Sequence, residues 1–277
     1  MTDIEAADTL DEGRLTVHHD AVWLLHRNGL DSFESFYRPD LGEVLRDVGP
    51  RENVRLTLEV DGDSQRFFLK RHAPLRNLDK LLSWMRLRRP KTAARVEWEN
   101  IERLRVLGIV TMRPVALGED PDTGRSFVMT AEIAAGTPAD DFAKTHFGGE
   151  TNVAARRTFV RRLAERVRML HAARLSHRDL YLCHVFVRED AGELQLHLID
   201  LQRLGRHLFM RRWRVKDLAQ LAYSQPEGTF TRTDAVRFLR SYFDAAPLSA
   251  GHKRLARAVL RKAARMRRRN VAKGACP

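Results

Sequence analysis

Three polar residues of this chain have the types and the spacing of a phosphotransfer site. Asp179 follows a His-Arg pair in a short loop, His184 comes five residues later, and Asp200 ends an apolar run. In kinase-type phosphoryl transfer, a loop Asp orients the acceptor hydroxyl and takes its proton, while a polar residue five positions on and a later Asp hold Mg²⁺. The sequence therefore predicts Asp179 as the catalytic residue, with His184 and Asp200 as ligands of Mg²⁺.

Two apolar runs between these residues predict a β-hairpin. Residues 184–187 and 194–199 have the composition of strands, and residues 189–193 between them are typical of a turn. Such a hairpin would bring Asp200 back beside Asp179. An ordinary loop with a capping Asp is the alternative, since His-Arg-Asp alone recurs by chance, but the upstream lysine described next argues against it.

An upstream lysine and a glutamate could hold the phosphates of a nucleotide. Lys70 lies in the strand-like run 66–71, and Glu97 lies in a segment of helical periodicity, residues 93–107, that stops before Gly108. In kinases such a lysine contacts the nucleotide phosphates and pairs with a helix glutamate. Glu97 borders the apolar stripe, so we predict it as the partner of Lys70. An edge-strand lysine on a solvated face is the alternative.

The nucleotide phosphates would have to be held without a glycine-rich loop. No G-x-G-x-x-G precedes Lys70, and Gly42 and Gly49 are the glycines available there. We expect either that Arg51 and the amides of its loop contact the phosphates, or that the nucleotide is held loosely from above.

The chain has a natural hinge where a strand runs into a connection containing Gly and Pro. Strands are predicted over residues 109–117 and 126–130, and the backbone at Glu132, just after the second strand, is where adenine would bind. The predicted lobes are residues 1–132, including an extension over residues 1–40, and residues 133–277.

Charge is the outlier in the composition. The 277 residues include 49 Lys and Arg against 36 Asp and Glu, a formal net charge of +13, which predicts an acidic partner such as nucleic acid, an anionic membrane or a phosphorylated substrate. Two cysteines are too few for a disulfide framework and fit a reducing compartment. There is neither a secretory signal nor a window of about 18 apolar residues, so we expect a cytoplasmic protein that can visit a membrane surface.

Three basic segments could contact that partner. Residues 72–90 form an amphipathic segment with Trp84, residues 203–216 interleave cations with aromatic residues, and residues 253–273 predict a very basic helix. The first suits an anionic membrane interface, although a surface helix packed on its own domain is the safer interpretation. The second resembles RNA-binding segments, but its place after Asp200 favours an anionic, phosphorylated acceptor.

Two residues near the Asp179 loop are expected to shape the backbone. A helix over residues 151–173 leads into the loop, and Arg174 then occupies a possible left-handed cap position at a cost of about 1 kcal/mol. Asp217 is predicted to cap the start of a buried helix and to brace the catalytic loop.

With these residues the chain resembles the bacterial lipopolysaccharide core kinases of the Kdo/WaaP type. The resemblance covers roughly residues 40–225. The matching residues are Phe68-Leu69-Lys70-Arg71, Glu97-Trp98, Gly108-Ile109-Val110-Thr111, His177-Arg178-Asp179 with His184, Ile199-Asp200-Leu201-Gln202-Arg203, and Arg212-Trp213-Arg214-Val215-Lys216-Asp217-Leu218-Ala219. The histidine at position 184 and the Asp-x-x-Arg ending are the more specific features.

The resemblance implies an α+β, two-lobed, protein-kinase-like fold. Its N-lobe would be an antiparallel sheet with one main helix, and its C-lobe would be mostly helical. It also implies ATP-dependent phosphorylation of a sugar, a heptose or Kdo, in the lipid A inner core. The enzyme would then be cytoplasmic and peripheral, at the inner face of the cytoplasmic membrane.

Other functions and one other residue role remain open. The chain could be a protein kinase, or a catalytically silent kinase fold that docks on anionic membrane or RNA; the intact Lys, Glu and two Asp argue against silence, and nucleic acid is the less favoured partner. Because imidazole is a softer Mg²⁺ ligand than an amide oxygen, His184 could instead orient Asp179 or a phosphate.

Overall fold

The computed structural model describes residues 7–60, 62–74, 91–149 and 152–271, without the side chains of residues 270 and 271. Internal contacts divide the chain into two units. The first contains Met1–Val106 and Met112–Glu132, and the second contains Leu107–Thr111 and Ile133–Pro277. Of the predicted features, the start of the N-terminal extension, the basic segment from residue 75 to residue 90 and Cys276 lie outside the described residues.

A seven-stranded antiparallel sheet forms the frame of the first unit. Its strands are β1 (Ala7–Leu10), β2 (Leu15–His18), β3 (Glu43–Asp47), β4 (Arg51–Val60), β5 (Asp63–His72), β6 (Pro114–Glu119) and β7 (Ser126–Ala131). Their order across the sheet is β1-β2-β6-β7-β5-β4-β3. The strand predicted to carry Lys70 is therefore confirmed, and it lies inside the sheet between β4 and β7.

The strand predicted over residues 109–117 begins only at Pro114. Thr111 instead forms an isolated parallel bridge with Leu198, and its hydroxyl donates to the Leu198 carbonyl oxygen at 2.6 Å. Proline has no N–H to give to a ladder, so it can begin a strand more easily than it can continue one. The prediction was wrong for residues 109–113, because this stretch up to Thr111 belongs to the second unit.

The N-terminal extension supplies part of the core of the first unit. A short helix, α1 (Val22–Arg27), and a 3-10 turn follow β2. Phe33 and Phe36 are fully buried, and the Phe36 ring stacks on Phe127 with centroids 4.2 Å apart. Arg71 of β5 donates to the Phe36 carbonyl oxygen at 2.7 Å, so polar as well as apolar contacts hold the extension against the sheet.

One helix, α2 (Ala93–Val106), packs against this sheet and has the predicted amphipathic period. Its buried residues are Ala94, Glu97, Trp98, Asn100, Ile101 and Leu104. Ala94 and Trp98 cluster with Leu117 of β6 and Val128 of β7. The packing of this apolar stripe turns Glu97 inward, where a carboxylate needs a partner.

Helices make up most of the described part of the second unit. They are α3 (Ala139–Phe147), α4 (Val153–Ala172), α5 (Arg211–Tyr223), α6 (Arg232–Phe243) and α7 (Ala250–Val271). The strands are β8 (Thr137–Pro138), β9 (Leu175–Ser176), β10 (Val185–Asp190), β11 (Glu193–Leu198) and β12 (Gly205–Arg206). Helix α4, the predicted long helix, begins at an Asn152 cap and ends just before the Asp179 loop.

The hairpin predicted before Asp200 is confirmed. β10 and β11 pair antiparallel along their whole length, with Ala191 and Gly192 as the two-residue turn. Both turn residues have positive φ, 48° and 78°, as a type I′ hairpin turn requires. The hairpin returns the chain so closely that the Ile199 amide donates to the His184 carbonyl oxygen at 3.0 Å.

Helix α7 confirms the very basic helix predicted near the C-terminus. Nine of its 22 residues are Lys or Arg, and none is Asp or Glu. Val259 is buried on one side, while Leu260 next to it stands in solvent. Across the described ranges of the chain, no helix combines the length and the apolar character needed to cross a membrane.

Candidate active site

Lys70 and Glu97 form an ion pair in the first unit. Lys70 Nζ donates to Glu97 Oε1 at 2.5 Å, and the Glu97 side chain is completely buried. Lys70 lies opposite Asn53 of β4 on one side and Val128 of β7 on the other. It therefore belongs to a central strand, and the alternative of a solvated edge-strand lysine is excluded.

The other two glutamates of α2 have different partners. Glu99 pairs with Lys91 at 2.6 Å, and Glu102 pairs with His18 at 3.0 Å. Breaking a buried ion pair by removing one partner costs about 3–5 kcal/mol, because it leaves an uncompensated buried charge. Glu97 is thus the member of the set that can fix a lysine in the sheet, as the sequence predicted.

Arg51 and Glu132, predicted to contact the nucleotide, also lie in the first unit. Arg51 begins β4, and its Nε donates to Asn53 Oδ1 at 3.0 Å. The Glu132 amide donates to the Arg66 carbonyl oxygen at 2.9 Å, and its carboxylate pairs with the Arg66 guanidinium at 2.7 Å. The Glu132 N–H is therefore engaged within the unit, which leaves its carbonyl oxygen as the group that could accept from adenine.

One face of α5 holds the predicted catalytic loop in the second unit. The buried Asp217 carboxylate accepts from the amide of His177 at 2.8 Å, from the amide of Arg178 at 2.9 Å and from the His171 ring at 3.2 Å. The helix begins at Arg211, so the prediction that Asp217 caps it was wrong. The prediction that Asp217 braces the loop is confirmed.

The rest of α5 and its C-cap residue, Ser224, continue this contact with the loop. Gln220 donates to the Arg178 carbonyl oxygen at 3.0 Å and accepts from the Leu180 amide at 3.2 Å. Ser224 accepts from the Leu182 amide at 2.9 Å. Because residues three or four apart lie on one helix face, these side chains extend the row that the buried carboxylate begins. The row fixes the loop backbone over six residues.

The Asp179 carboxylate is paired with an arginine. Arg203 Nη1 donates to both carboxylate oxygens, at 3.0 and 2.9 Å. The Asp179 side chain is 18% exposed and the Arg203 side chain is 54% exposed, so the pair is open to solvent on the arginine side. Exposed ion pairs contribute only about 0–1 kcal/mol, so an incoming group can replace Arg203 with little loss of stability.

His184 lies between the main chain of Asp179 and the side chain of Asp200. Its Nδ1 donates to the Asp179 carbonyl oxygen at 2.8 Å, and its Nε2 is 4.0 Å from Asp200 Oδ2. Burial lowers the pKa of His184, but hydrogen bonds with Cys183 and with the Asp179 carbonyl, together with the Asp200 charge, raise it to about 9. At neutral pH the ring is then protonated, and both of its nitrogens are donors.

The hairpin places Asp200 beside this loop. Asp200 has a left-handed backbone, with φ 56° and ψ 61°. The carbonyl oxygen of Ile199, the residue before it, accepts from His177 Nε2 at 2.9 Å, and burial lowers the pKa of His177. The structure thus brings Asp179, His184 and Asp200 together in the second unit. Within the described residues, no group of three His, Cys, Asp or Glu side chains could hold a metal ion by themselves.

Sequence reasoning placed Arg203 and Lys216 in the basic segment for an anionic acceptor but did not predict their contacts with the catalytic loop, and it assigned no role to Gln220 or Ser224. Lys216 also donates to the Arg178 carbonyl oxygen, and burial lowers the pKa of its ammonium group. The signal for the α5 row was available in the spacing of polar residues within a buried helix. No local signal marks Arg203 as the partner of a carboxylate 24 residues away.

The sequence of this chain is similar to those of known proteins. Residues 44–242 match the family described as "Lipopolysaccharide kinase (Kdo/WaaP) family". A protein of Escherichia coli named "Lipopolysaccharide core heptose(I) kinase WaaP" is 36% identical over 228 residues, which cover 79% of this chain and 84% of that protein. A Pseudomonas aeruginosa protein of the same name is 35% identical over 224 residues, covering 78% and 82%.

A solved structure is also similar over almost the whole chain. It is described as "WaaP in complex with acyl carrier protein" and is 31% identical to this chain. The two structures superpose with a TM-score of 0.67, over 92% of this chain and 97% of that one.

Replacing Asp217 by Ala tests the brace on the catalytic loop. We expect the free energy of unfolding in urea to fall by about 2–6 kcal/mol, because the amides of His177 and Arg178 lose their acceptor at about 1–3 kcal/mol each. The matched control is Asp141→Ala, which removes an exposed carboxylate paired with Lys144. That change should stay within about 1 kcal/mol, and equal losses in the two variants would contradict the brace.

Proposed function

Since this chain belongs to the lipopolysaccharide kinase (Kdo/WaaP) family, we propose that it transfers the γ-phosphate of ATP to a heptose of the lipopolysaccharide inner core. The family resemblance and the α+β, protein-kinase-like fold predicted from the sequence are confirmed. Heptose is favoured over Kdo because the curated relatives are named as core heptose(I) kinases. The observation that carries the proposal is the Asp179 loop, whose backbone is fixed while its carboxylate stays accessible.

Each predicted residue has a separate part in this reaction. Asp179 orients the acceptor hydroxyl and takes its proton as the phosphoryl group is transferred. Lys70, held by Glu97, binds phosphate oxygens of ATP, and Arg51 supplies a second cation. The carbonyl oxygen of Glu132 accepts a hydrogen bond from adenine.

Arg203 keeps the carboxylate of Asp179 in place before the acceptor arrives. One arginine nitrogen serves both carboxylate oxygens. The acceptor hydroxyl can therefore take over one of these hydrogen bonds while the other remains. When Arg203 gives up a hydrogen bond, water solvates its guanidinium, because this side chain is 54% exposed. The exchange therefore leaves no buried charge without a partner.

The family implies Mg²⁺, and the residues of the second unit fit it in part. The Asp200 carboxylate supplies the hard oxygen ligands that Mg²⁺ prefers, and we propose it as the residue that holds the ion. His184 fits less well, because an imidazole nitrogen is a softer ligand than the oxygens that Mg²⁺ prefers. Its contacts favour the other role, in which it orients Asp179. When bound, the ion would neutralise charge on the phosphates.

The proposed location follows from the charge of the chain and from the acceptor. A net charge of +13 favours anionic lipid, and a lipid A-core acceptor lies in a membrane. We place the enzyme in the cytoplasm, peripheral to the inner face of the cytoplasmic membrane. The alternatives are a protein kinase and a silent docking module for membrane or RNA. Neither explains the similarity to heptose kinases, and the assay below tests both.

The Asp179→Asn variant is expected to lose phosphoryl transfer. Loss of the base should lower the rate by about 10²- to 10⁴-fold while ATP binding stays within about three-fold. The measurement is transfer of labelled γ-phosphate from Mg-ATP to a lipid A-core extract, beside a generic protein substrate. The control is Asp190→Asn, which changes a half-exposed carboxylate of the same unit at the hairpin turn.

The outcomes of this assay separate the alternatives. Label in the glycolipid that disappears in Asp179→Asn but persists in Asp190→Asn supports the proposal. Label in added protein, or in the chain itself, would support a protein kinase. Full transfer by Asp179→Asn would reject Asp179 as the base, and no label together with no ATP binding would support the silent docking module.

The role of His184 can be tested by its dependence on Mg²⁺. If His184 positions Asp179, His184→Asn should lower kcat by about ten-fold or more while the Mg²⁺ concentration for half-maximal activity stays within about two-fold. If His184 is a ligand, that concentration should change by about ten-fold or more. Titrating Mg²⁺ at saturating ATP distinguishes the two roles.

We also propose that this chain binds acyl carrier protein, as the solved relative does. The observation that favours this partner is an apolar cavity of about 130 Å³ within the second unit. Its lining includes Phe159, Leu163, Leu182, Leu218, Phe230 and Phe238. Sites for apolar ligands are lined mostly by hydrophobic and aromatic side chains, so an acyl chain is a suitable occupant.

Filling the cavity should abolish selectivity for the acylated carrier. Ala256 lines the cavity from α7, whereas Ala264 on the same helix is exposed. We expect Ala256→Phe to reduce affinity for acylated carrier protein by at least ten-fold, and Ala264→Phe to leave it unchanged, as measured by calorimetry. Equal affinity of the native chain for acylated and unacylated carrier would rule out the cavity as the acyl site.

A further inference from the structure

Two neighbouring apolar side chains stand in solvent between β12 and α5. Leu208 is 80% exposed and Phe209 is 86% exposed, the highest values among the large apolar residues that the structure describes. Apolar side chains scattered singly over a surface are ordinary, whereas contiguous exposed apolar surface with a polar rim is typical of an interaction site. We call these two residues the apolar pair.

Four arginines surround the apolar pair. Arg174, Arg211 and Arg214 line one concave surface together with the pair, and Arg254 of α7 joins the last two in a second, adjoining one. Within the described residues, none of the four arginines has a carboxylate partner. Arg214 Nε is buried and forms no hydrogen bond with any described residue. We call these residues the arginine cluster. Its unbalanced charge suits an anion.

The backbone at Arg174 points the same way. Its φ is +58°, a left-handed conformation that glycine adopts freely and that strains other residues. The strained position nevertheless carries an exposed arginine beside the apolar pair. An observed strain of this kind is a reason to look for a function of the side chain.

We infer that the apolar pair and the arginine cluster dock the second unit on an anionic phospholipid bilayer. Phe209 and Leu208 enter the interfacial zone, while the arginines bind headgroup phosphates. A bilayer surface accommodates a protruding pair of any shape, whereas a folded partner must offer a matching pocket. RNA is less suitable, because single strands stack on several aromatic platforms, whereas Phe209 is the aromatic residue of this surface and Trp213 of the same segment is stacked against His207.

The docking surface is joined to the catalytic loop by short connections. β12, just before the apolar pair, pairs with β9, which leads into the loop. Helix α5 begins within the arginine cluster and carries Asp217 less than two turns later. Docking would therefore set the position of Asp179 relative to the bilayer. The inference rests on the proposed action on a membrane glycolipid and adds the surface that brings the enzyme to it.

The test is flotation of the full chain with lipid vesicles, without nucleotide or acceptor. We expect binding to vesicles of phosphatidylcholine with 30% phosphatidylglycerol, at about 0.15 M salt, and little binding to pure phosphatidylcholine. Arg211→Ala with Arg254→Ala should weaken binding by roughly 25-fold, about five-fold for each cation. Leu208→Ser with Phe209→Ser should weaken it by at least ten-fold.

Two control variants test whether vesicle binding depends on this surface or on the overall charge and exposed apolar area of the chain. Trp23→Ser removes another exposed apolar side chain, from the first unit. Arg157→Ala removes an exposed cation about 23 Å along α4 from its C-terminal end. Both should change vesicle binding by less than three-fold.

Arg174→Gly removes one cation of the arginine cluster, so it should weaken vesicle binding several-fold. Because glycine adopts a positive φ without strain, the same change should keep or raise the melting temperature.

The other outcomes overturn the inference. Equal binding to neutral and anionic vesicles, or equal losses in the control and surface variants, would reject the docking surface. So would unchanged vesicle binding in the surface variants together with lost binding of RNA or of acyl carrier protein. Since the assay contains no ATP, a chain that binds vesicles but transfers no phosphate would contradict only the proposed function. A chain that transfers phosphate but does not bind vesicles would contradict only this inference.

Discussion

The hydrogen bonds from the loop amides to the buried Asp217 carboxylate are the constraint on which the second unit depends. A fully buried carboxylate is stable only when donors surround it, and here they are two consecutive amides and the His171 ring. To present both amides to one carboxylate, Arg178 takes a positive φ of 71°. The side chain of the next residue, Asp179, pairs with Arg203. The helix α5 and the catalytic loop therefore stabilise each other, although about 40 residues of sequence separate them.

Much of the frame that presents the site follows from local sequence patterns. The β10–β11 hairpin was predictable because its two apolar runs flank a turn, and the structure pairs them along their whole length. The amphipathic period of α2 indicated which of its three glutamates faces the sheet, and Glu97 does. Arg174 was predicted as a left-handed cap at the end of α4, and its φ is +58°. In each case the decisive information lies within about 20 residues of chain.

The parts that sequence reasoning missed depend on distant elements. Residues 109–113 have strand-like composition, but Thr111 pairs with Leu198, and nothing near it in sequence reveals that partner. The backbone at Glu132 was predicted to bind adenine, but the sheet places the Arg66 carbonyl oxygen against the Glu132 amide. Asp217 was expected at a helix start because acidic residues often cap helices, yet tertiary contact with the loop determines its place. Composition sets which partners are possible, and packing selects among them.

The Lys70–Glu97 pair of the first unit and the Asp179–Arg203 pair of the second unit differ in a way that matches their proposed roles. Glu97 is completely buried against Lys70, so separating them leaves a charge in the interior at about 3–5 kcal/mol. Asp179 instead pairs with Arg203, whose side chain is 54% exposed, so the arginine returns to water when the pair opens. A residue that holds phosphates in every catalytic cycle benefits from a fixed position. A base must release its resting partner each time an acceptor binds, and only the exposed pair permits that without disrupting the fold.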